Sequence, residues 1–300
     1  MGIMHVAHDI PTRKPPQQTS RAHSPVQVSS PVNGIFRLHV LASGSKGNAS
    51  VLETPDTCIL IDCGITKKLF MQGCKDLGFD PARIDAAIIT HEHSDHTKGA
   101  GVILRGLRKL GLETPIYTTT GTFKASRALQ EISDDFPIRL INHAQSLAIG
   151  SIGVQFVPTS HDAADPICMV FETRENGFRD VLGFVTDTGV FPDGLPGLLT
   201  EARILALESN HDADMLRTGP YPFMLKQRIA SDFGHLSNDS CDAALESVLG
   251  GRMEAVIGMH LSQTNNTPRQ ARAGLEGVLK RNDHPARALV GSQNTPRTVS

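Results

Sequence analysis

The chain has 300 residues, enough for one large domain or two small ones, and its 39% hydrophobic content with 27 glycines suits a loop-rich α/β or β-rich protein. A formal net charge of −2 argues against broad electrostatic attraction to nucleic acid, so any polyanion must be gripped by a local patch or by metal. Five cysteines without a CxxC pair argue against a disulfide framework, and no apolar run approaches the ~20 residues of a membrane span.

Residues 1–33 mix Pro, Ser, Gln and His with little apolar periodicity and read as a disordered tail, with His5, His8 and His23 solvated. They lack the charged-then-apolar order of a signal peptide, which together with the cysteine usage predicts a cytoplasmic protein without membrane contact. One folded domain is expected over 34–290, followed by a loose tail over 291–300.

Phe36 to Leu41 alternates as a first strand and runs into Ala42-Ser43-Gly44-Ser45-Lys46-Gly47-Asn48, a loop of small residues with open backbone amides. Such a loop can approach a phosphate, helped by Lys46; a plain hairpin turn fits equally well. Ala49–Glu53 and Cys58–Ile61 are two further predicted strands, the second ending at Asp62-Cys63-Gly64. Cys63 reads as a small buried filler rather than a nucleophile. Lys67 to Gly78 is helical in pattern.

The apolar run Ala86 to Ile89 then breaks off into Thr90-His91-Glu92-His93-Ser94-Asp95-His96. Imidazole and carboxylate are ligands that zinc, manganese and iron accept. If the chain leaves the strand extended, His91 and His93 point the same way and can hold one ion. A turn starting at Asp95 then puts Asp95 and His96 on a neighbouring face, close enough for a second. Gly101 to Leu110 is a basic amphipathic helix with Arg105, Arg108 and Lys109, by default solvated. Ile116-Tyr117 is a short strand and Gly121 to Ile132 another helix.

The second half repeats this rhythm. Ser151–Val157 ends at Pro158-Thr159-Ser160-His161-Asp162, Val181–Val185 at Thr186-Asp187, Ile204–Leu207 at Glu208-Ser209-Asn210-His211-Asp212, and Ala255–Met259 at His260. Six apolar strands thus end in potential ligands, as expected of a sheet that builds its site along one rim. Tyr221 to Asp232 is helical in pattern, and Ser237 or Asn238 can cap a helix starting near Asp239, leaving His235 just ahead of its amino terminus.

The His-x-His-x-Asp-His run of His91, His93, Asp95 and His96 resembles the metallo-β-lactamase superfamily, in order from Phe36 to about Ser262. Leu-Ala-Ser-Gly-Ser-Lys-Gly-Asn at 41–48, Glu-Ser-Asn-His-Asp at 208–212, Gly-Pro-Tyr-Pro at 219–222, Gly-His-Leu-Ser-Asn at 234–238, His-Leu-Ser at 260–262 and Asn-Asn-Thr-Pro at 265–268 are similar to its YycJ-like (WalJ-like) branch. That branch is described as metal-dependent 5′-to-3′ DNA exonucleases or phosphodiesterases. The resemblance implies an α/β fold, a four-layer αββα sandwich with a dinuclear metal site at one edge. It implies two divalent ions (Zn, Mn or Fe), one on His91, His93 and His161, the other on Asp95, His96 and His260, with Asp187 between them. Asp62, His211 and Asp212 would stand behind the ligands and orient them. Ser43, Ser45, Lys46, Asn48 and Ser237 are the expected substrate contacts.

In such a centre a hydroxide shared by two ions about 3.5–4 Å apart is the nucleophile. Asp95 would help orient it while serving as a ligand, and His235, held by Glu208, would protonate the leaving alkoxide. The competing reading is that Glu208 and His235 only tie loops together. A DNA-directed nuclease is the leading function, a small or cyclic phosphodiesterase the nearest alternative. A thioester or lactone hydrolase of glyoxalase-II type shares the ligands but has little use for a separate acid, since a thiolate leaves unprotonated. A metal-stabilised binding module is the non-catalytic alternative.

Overall fold

The computed structural model describes residues 34–143 and 145–300. The tail expected at 1–33, with its three histidines, lies outside the described residues. The first half runs β1 (Arg37–Ala42), β2 (Ala49–Glu53), β3 (Cys58–Ile61), α1 (Lys67–Asp76), β4 (Ala86–Ile88), α2 (Ser94–Thr97), α3 (Ala100–Arg108), β5 (Ile116–Thr119), α4 (Thr120–Ala125), α5 (Arg127–Gln130) and β6 (Ile138–Ile141). The second runs β7 (Ser146–Ile149), β8 (Ile152–Pro158), β9 (Ile167–Glu175), β10 (Phe178–Val185), α6 (Pro196–Leu199), β11 (Ile204–Glu208), α7 (Ala213–Thr218), α8 (Phe223–Ile229), α9 (Asn238–Val248), β12 (Ala255–Met259), α10 (Pro268–Arg281), β13 (Arg287–Val290) and β14 (Arg297–Val299).

The strands form two seven-stranded sheets, ordered β14-β1-β2-β3-β4-β5-β6 and β13-β12-β11-β10-β9-β8-β7. Each is mixed: β3 to β6 are mutually parallel and so are β10 to β13, while the remaining pairs are antiparallel. Strand alternation explains how both faces are buried. In β3, Ile59 and Ile61 point between the sheets to meet Phe156, Phe184 and Ile257, while Cys58 and Leu60 point outward to Phe70 of α1 and to Ile103 and Leu107 of α3. On the far side, Leu205 and Val256 pack under Leu245 of α9 and Leu275 of α10. The result is an αββα sandwich whose central strands read as unbroken apolar runs because neither face meets water. Among the described residues no helix is long and apolar enough to cross a membrane.

Three expectations are corrected. The end of the chain is not loose: β14 pairs with β1, Val299 is buried in the inter-sheet core, and Gln293 bonds both Lys46 N and Gly47 O. The free edge of β1 takes the strand because Val299 fills space between the sheets. The helix expected over 121–132 is two, since Ser126 is extended (φ −89°, ψ 100°) and caps α5 through Leu129 N. That over 221–232 shrinks to α8, which starts only after Pro222.

Candidate metal centre

The carboxyl ends of β3, β4, β10, β11 and β12 carry Asp62, the His91–His96 run, Asp187, Glu208 and His260, so parallel packing gathers them on one rim. Three of these residues, Asp62 (φ 59°), Asp187 (φ 59°) and His260 (φ 56°), leave their strands in the left-handed region. Asp and His visit it more readily than most side chains do, but the conformation still needs support from the surroundings. Gly64 is required for a different reason: a Cβ there would lie 1.5 Å from Asp95 O, the atom that accepts Asn48 N at 2.8 Å.

Four imidazoles are fixed in the same sense. Nδ1 of His91 faces Thr90 Oγ1 at 3.0 Å, that of His96 faces Asp62 Oδ2 at 2.7 Å, that of His161 faces Gly234 O at 2.9 Å, and that of His260 faces Glu208 Oε1 at 3.0 Å. Thr90 Oγ1 itself donates to Asp62, so a chain of donors runs from His91 to that carboxylate. With Nδ1 donating, the lone pair sits on Nε2 in each ring, the arrangement metal-binding histidines use.

The ligand atoms fall into overlapping groups within 4.8 Å: His91, His93 and His161; Asp95, His96 and His260; His91, His96 and Asp187; and Asp187, Glu208, His235 and His260. Asp187 stands between the first two, with Oδ2 3.5 Å from His96 Nε2 and Oδ1 4.0 Å from His161 Nε2. His91 Nε2, His260 Nε2 and Asp187 Oδ2 are buried without a hydrogen-bond partner, and His161 Nε2 faces His93 Nδ1 at 3.3 Å. Buried polar atoms of this kind demand a partner, and ring nitrogens facing one another suit a cation between them. The donor set fits divalent ions.

The electrostatics agree. Burial, with neighbouring imidazoles adding to it, holds His91 neutral well below the usual histidine range. Burial also opposes charge on His96 and Asp95, but nearby groups outweigh it. The Asp187 and Asp62 carboxylates push His96 up to about 9, and His260 with His96 draws Asp95 below the usual carboxylate range. Divalent ions would take over the positive charge that these protons carry.

Glu208 is wholly buried and serves two rings. Its Oε1 accepts from His235 Nδ1 at 2.8 Å and from His260 Nδ1, while Oε2 accepts Thr188 N at 2.9 Å. Other expected residues stand elsewhere. Ser43 and Asn48 are corrected from substrate contacts to supports: Ser43 Oγ accepts His260 N at 2.7 Å, and Asn48 turns inward to His96 and Gly44 N. Ser45 and Lys46 stay exposed on that loop. Ser237 Oγ is committed to capping α9 and Asp212 to capping α7, so neither meets the cluster. His211 is buried behind Glu208 and its carbonyl accepts Asn238 N. Arg105 and Arg108 pair with Asp135, and all five cysteines are buried and unpaired. Sequence reasoning missed Thr90, and it missed Asn210, whose Nδ2 donates to His260 O at 2.8 Å. It also missed Asp162, which links Arg228 Nε to the His93 and His161 rings.

Residues 57–261 match the family described as a beta-lactamase superfamily domain. The chain is 35% identical over 251 residues to exodeoxyribonuclease WalJ of Streptococcus pneumoniae, covering 83% of this chain and 90% of that one. It is 32% identical over 244 residues to exodeoxyribonuclease YycJ of Bacillus anthracis, covering 80% and 88%. Among solved structures, the metallo-β-lactamase fold protein YhfI from Bacillus subtilis superposes with a TM-score of 0.65 at 18% identity, over 88% of this chain and 99% of that one, a likeness of fold. With a family match across more than half its length and near-complete alignment to both exodeoxyribonucleases, the chain belongs to the metallo-β-lactamase superfamily, in its YycJ/WalJ-like branch.

Proposed function

We propose that this protein is a metal-dependent phosphodiester hydrolase that degrades DNA as a 5′-to-3′ exonuclease in the cytoplasm. The observation that carries the reading is the pair of groups, His91, His93, His161 and Asp95, His96, His260, on either side of Asp187. These seven side chains would hold two divalent ions, Zn, Mn or Fe. When bound, such ions neutralise charge on phosphate and lower the pKa of water.

The chain's own residues do the rest. Glu208 fixes the His235 ring through Nδ1, which leaves Nε2 to give a proton to the departing oxygen. An alkoxide needs that proton and a thiolate does not, so the His235–Glu208 pair favours phosphodiester over thioester hydrolysis. Asp62 and Thr90 keep His91 and His96 in one tautomer and orientation. Asp95, held ionised by its histidine neighbours, offers an acceptor to an incoming water. Exposed Ser45 and Lys46 remain the loop's substrate contacts, and buried thiols suit a reducing compartment.

The test pairs metal analysis with turnover. Purified protein should carry two ions and shorten 5′-labelled DNA in a chelator-sensitive way, and His93→Ala should lose metal together with hydrolysis of bis-p-nitrophenyl phosphate. Undiminished turnover in that variant would reject the assignment.

A further inference from the structure

Helix α8 buries none of its seven residues, and a helix so short is not stable by itself. It is held at its carboxyl end instead. His235 N donates to Ile229 O at 3.0 Å, Asp162 N to Phe233 O at 3.0 Å, and Arg228 Nε pairs with Asp162. Gly189, two residues past Asp187, lies so close that a Cβ there would sit 2.4 Å from the backbone of Ser231 and Asp232. These clamps hold the backbone at Phe233, whose side chain is left open (62% exposed), one residue from the carbonyl that orients His161 and two from His235. Val190, on the facing loop, is 44% exposed, and the Arg228 side chain is 53% exposed. Phe233 and Arg228 are both tied to Asp162, one through its carbonyl and the other through Nε, which leaves the rest of the guanidinium open. An exposed aromatic and an arginine on one braced turn next to the metal centre combine the two features with which proteins hold unpaired strands: a stacking surface and a phosphate partner.

We infer that Phe233 is a stacking platform for the unpaired end bases of a nucleic-acid strand entering the metal centre, with Arg228 beside it for the backbone. The contact takes the unpaired end of a strand, whether single-stranded or frayed from a duplex, without base preference. This rests on the phosphodiesterase reading above. A second copy of the chain is the other occupant an exposed Phe could serve, but covering Phe233 with protein would close the approach to His235.

The test measures binding, with the full chain in EDTA and a fluorescent oligothymidylate followed by anisotropy. Phe233→Ala should weaken Kd about tenfold, within the range of one base–aromatic stack, and Phe233→Trp should restore it. An oligonucleotide with abasic ends should bind the unaltered protein as weakly as Phe233→Ala binds the intact strand, and the variant should lose nothing further. Unchanged Kd in Phe233→Ala, an equal loss on abasic strands, no measurable binding by the unaltered protein, or light scattering that shows a dimer split by Phe233→Ala would overturn the inference. Hydrolysis of bis-p-nitrophenyl phosphate by the metal-loaded unaltered protein is scored separately. Turnover there with no Phe233 effect sinks the platform alone, and absence of turnover sinks the hydrolase reading.

Discussion

Asp62 is the residue on which a single-atom change should be most informative. Its carboxylate accepts Thr90 N at 2.9 Å, Thr90 Oγ1 at 3.0 Å and His96 Nδ1 at 2.7 Å, all out of solvent. Asp62→Asn keeps the shape, the left-handed backbone and one oxygen, which the Thr90 amide retains. The new amino group then faces His96 Nδ1. Either two donors confront each other, or His96 moves its proton to Nε2, the nitrogen 3.0 Å from Asn48 Nδ2, 3.5 Å from Asp187 and 3.7 Å from Asp95. A protonated Nε2 cannot ligate. Loss of a carboxylate partner behind a metal-bound histidine weakens metal by about 10–100-fold. The loss should fall on the ion expected at Asp95, His96 and His260, while the one at His91, His93 and His161 stays. Asp62→Ala should also unfold more easily, because three buried donors lose their acceptor at about 1–3 kcal/mol each. With partial compensation that is about 3–6 kcal/mol, or a Tm lower by roughly 5–11 °C in a domain this size. Chelator competition with metal quantitation reads the first effect and a thermal melt the second. An Asp62→Asn protein that binds two ions as tightly as the unaltered chain would refute the reasoning.

Two further changes probe other links. His235→Ala should cut kcat on an oligonucleotide by about 10²–10⁴-fold, and by much less on bis-p-nitrophenyl phosphate, whose leaving group departs without a proton; equal losses on both would remove His235 as the acid. Asp242, packed against Gly274 of α10, has its pKa raised from 3.8 to about 6, first by burial and then by the charge of Asp239. An acid raised in the folded state costs stability as pH climbs through the interval between those values. Asp242→Asn should therefore raise stability by about 1–2 kcal/mol above neutrality, a figure reduced for partial solvent exposure, and by nothing near pH ~4. A gain that persists at acid pH would point to packing instead.

How much of this was legible depended on where each signal lives. β3, β4, β10, β11 and β12 are buried on both faces, so they stand out as apolar runs with ligands immediately after them. β9 changes from Ile-Cys-Met-Val-Phe to Glu-Thr-Arg-Glu halfway along, as it leaves the core, and its pattern dissolves with it. β6 and β7 are half-exposed outer strands with little periodicity, and β14 has three residues whose partner lies more than 250 positions away. Helix α10 carries a Thr267 cap and Pro268 at its start, a helix signal that is local and legible in the sequence. The loop at 42–48 shows why small polar residues are ambiguous. Ser43 and Asn48 suited a phosphate contact on composition, and only three-dimensional packing turns one onto His260 and the other onto His96.

The left-handed residues carry the same lesson into the chemistry. An extended strand end would send successive side chains to opposite faces. Asp62, Asp187 and His260 instead reverse the backbone at the moment their strands leave the sheet, which turns each side chain back over the rim. Each such conformation costs on the order of 1–3 kcal/mol unless the surroundings hold it. Here they do: Asp62 N bonds Ile88 O at 2.9 Å, Gly189 N beyond Asp187 bonds Ser160 O at 2.8 Å, and His260 is gripped at both ends by Ser43 and Asn210. The clamps come from different segments: Ile88 ends β4, Ser160 follows β8 and Asn210 follows β11, while Ser43 reaches His260 from the other half of the chain. The ligands are thus set by mutual bracing of separate segments rather than by any one motif, so a change at Asn210 or Ser43, both of which bond the His260 backbone, reaches the centre through His260.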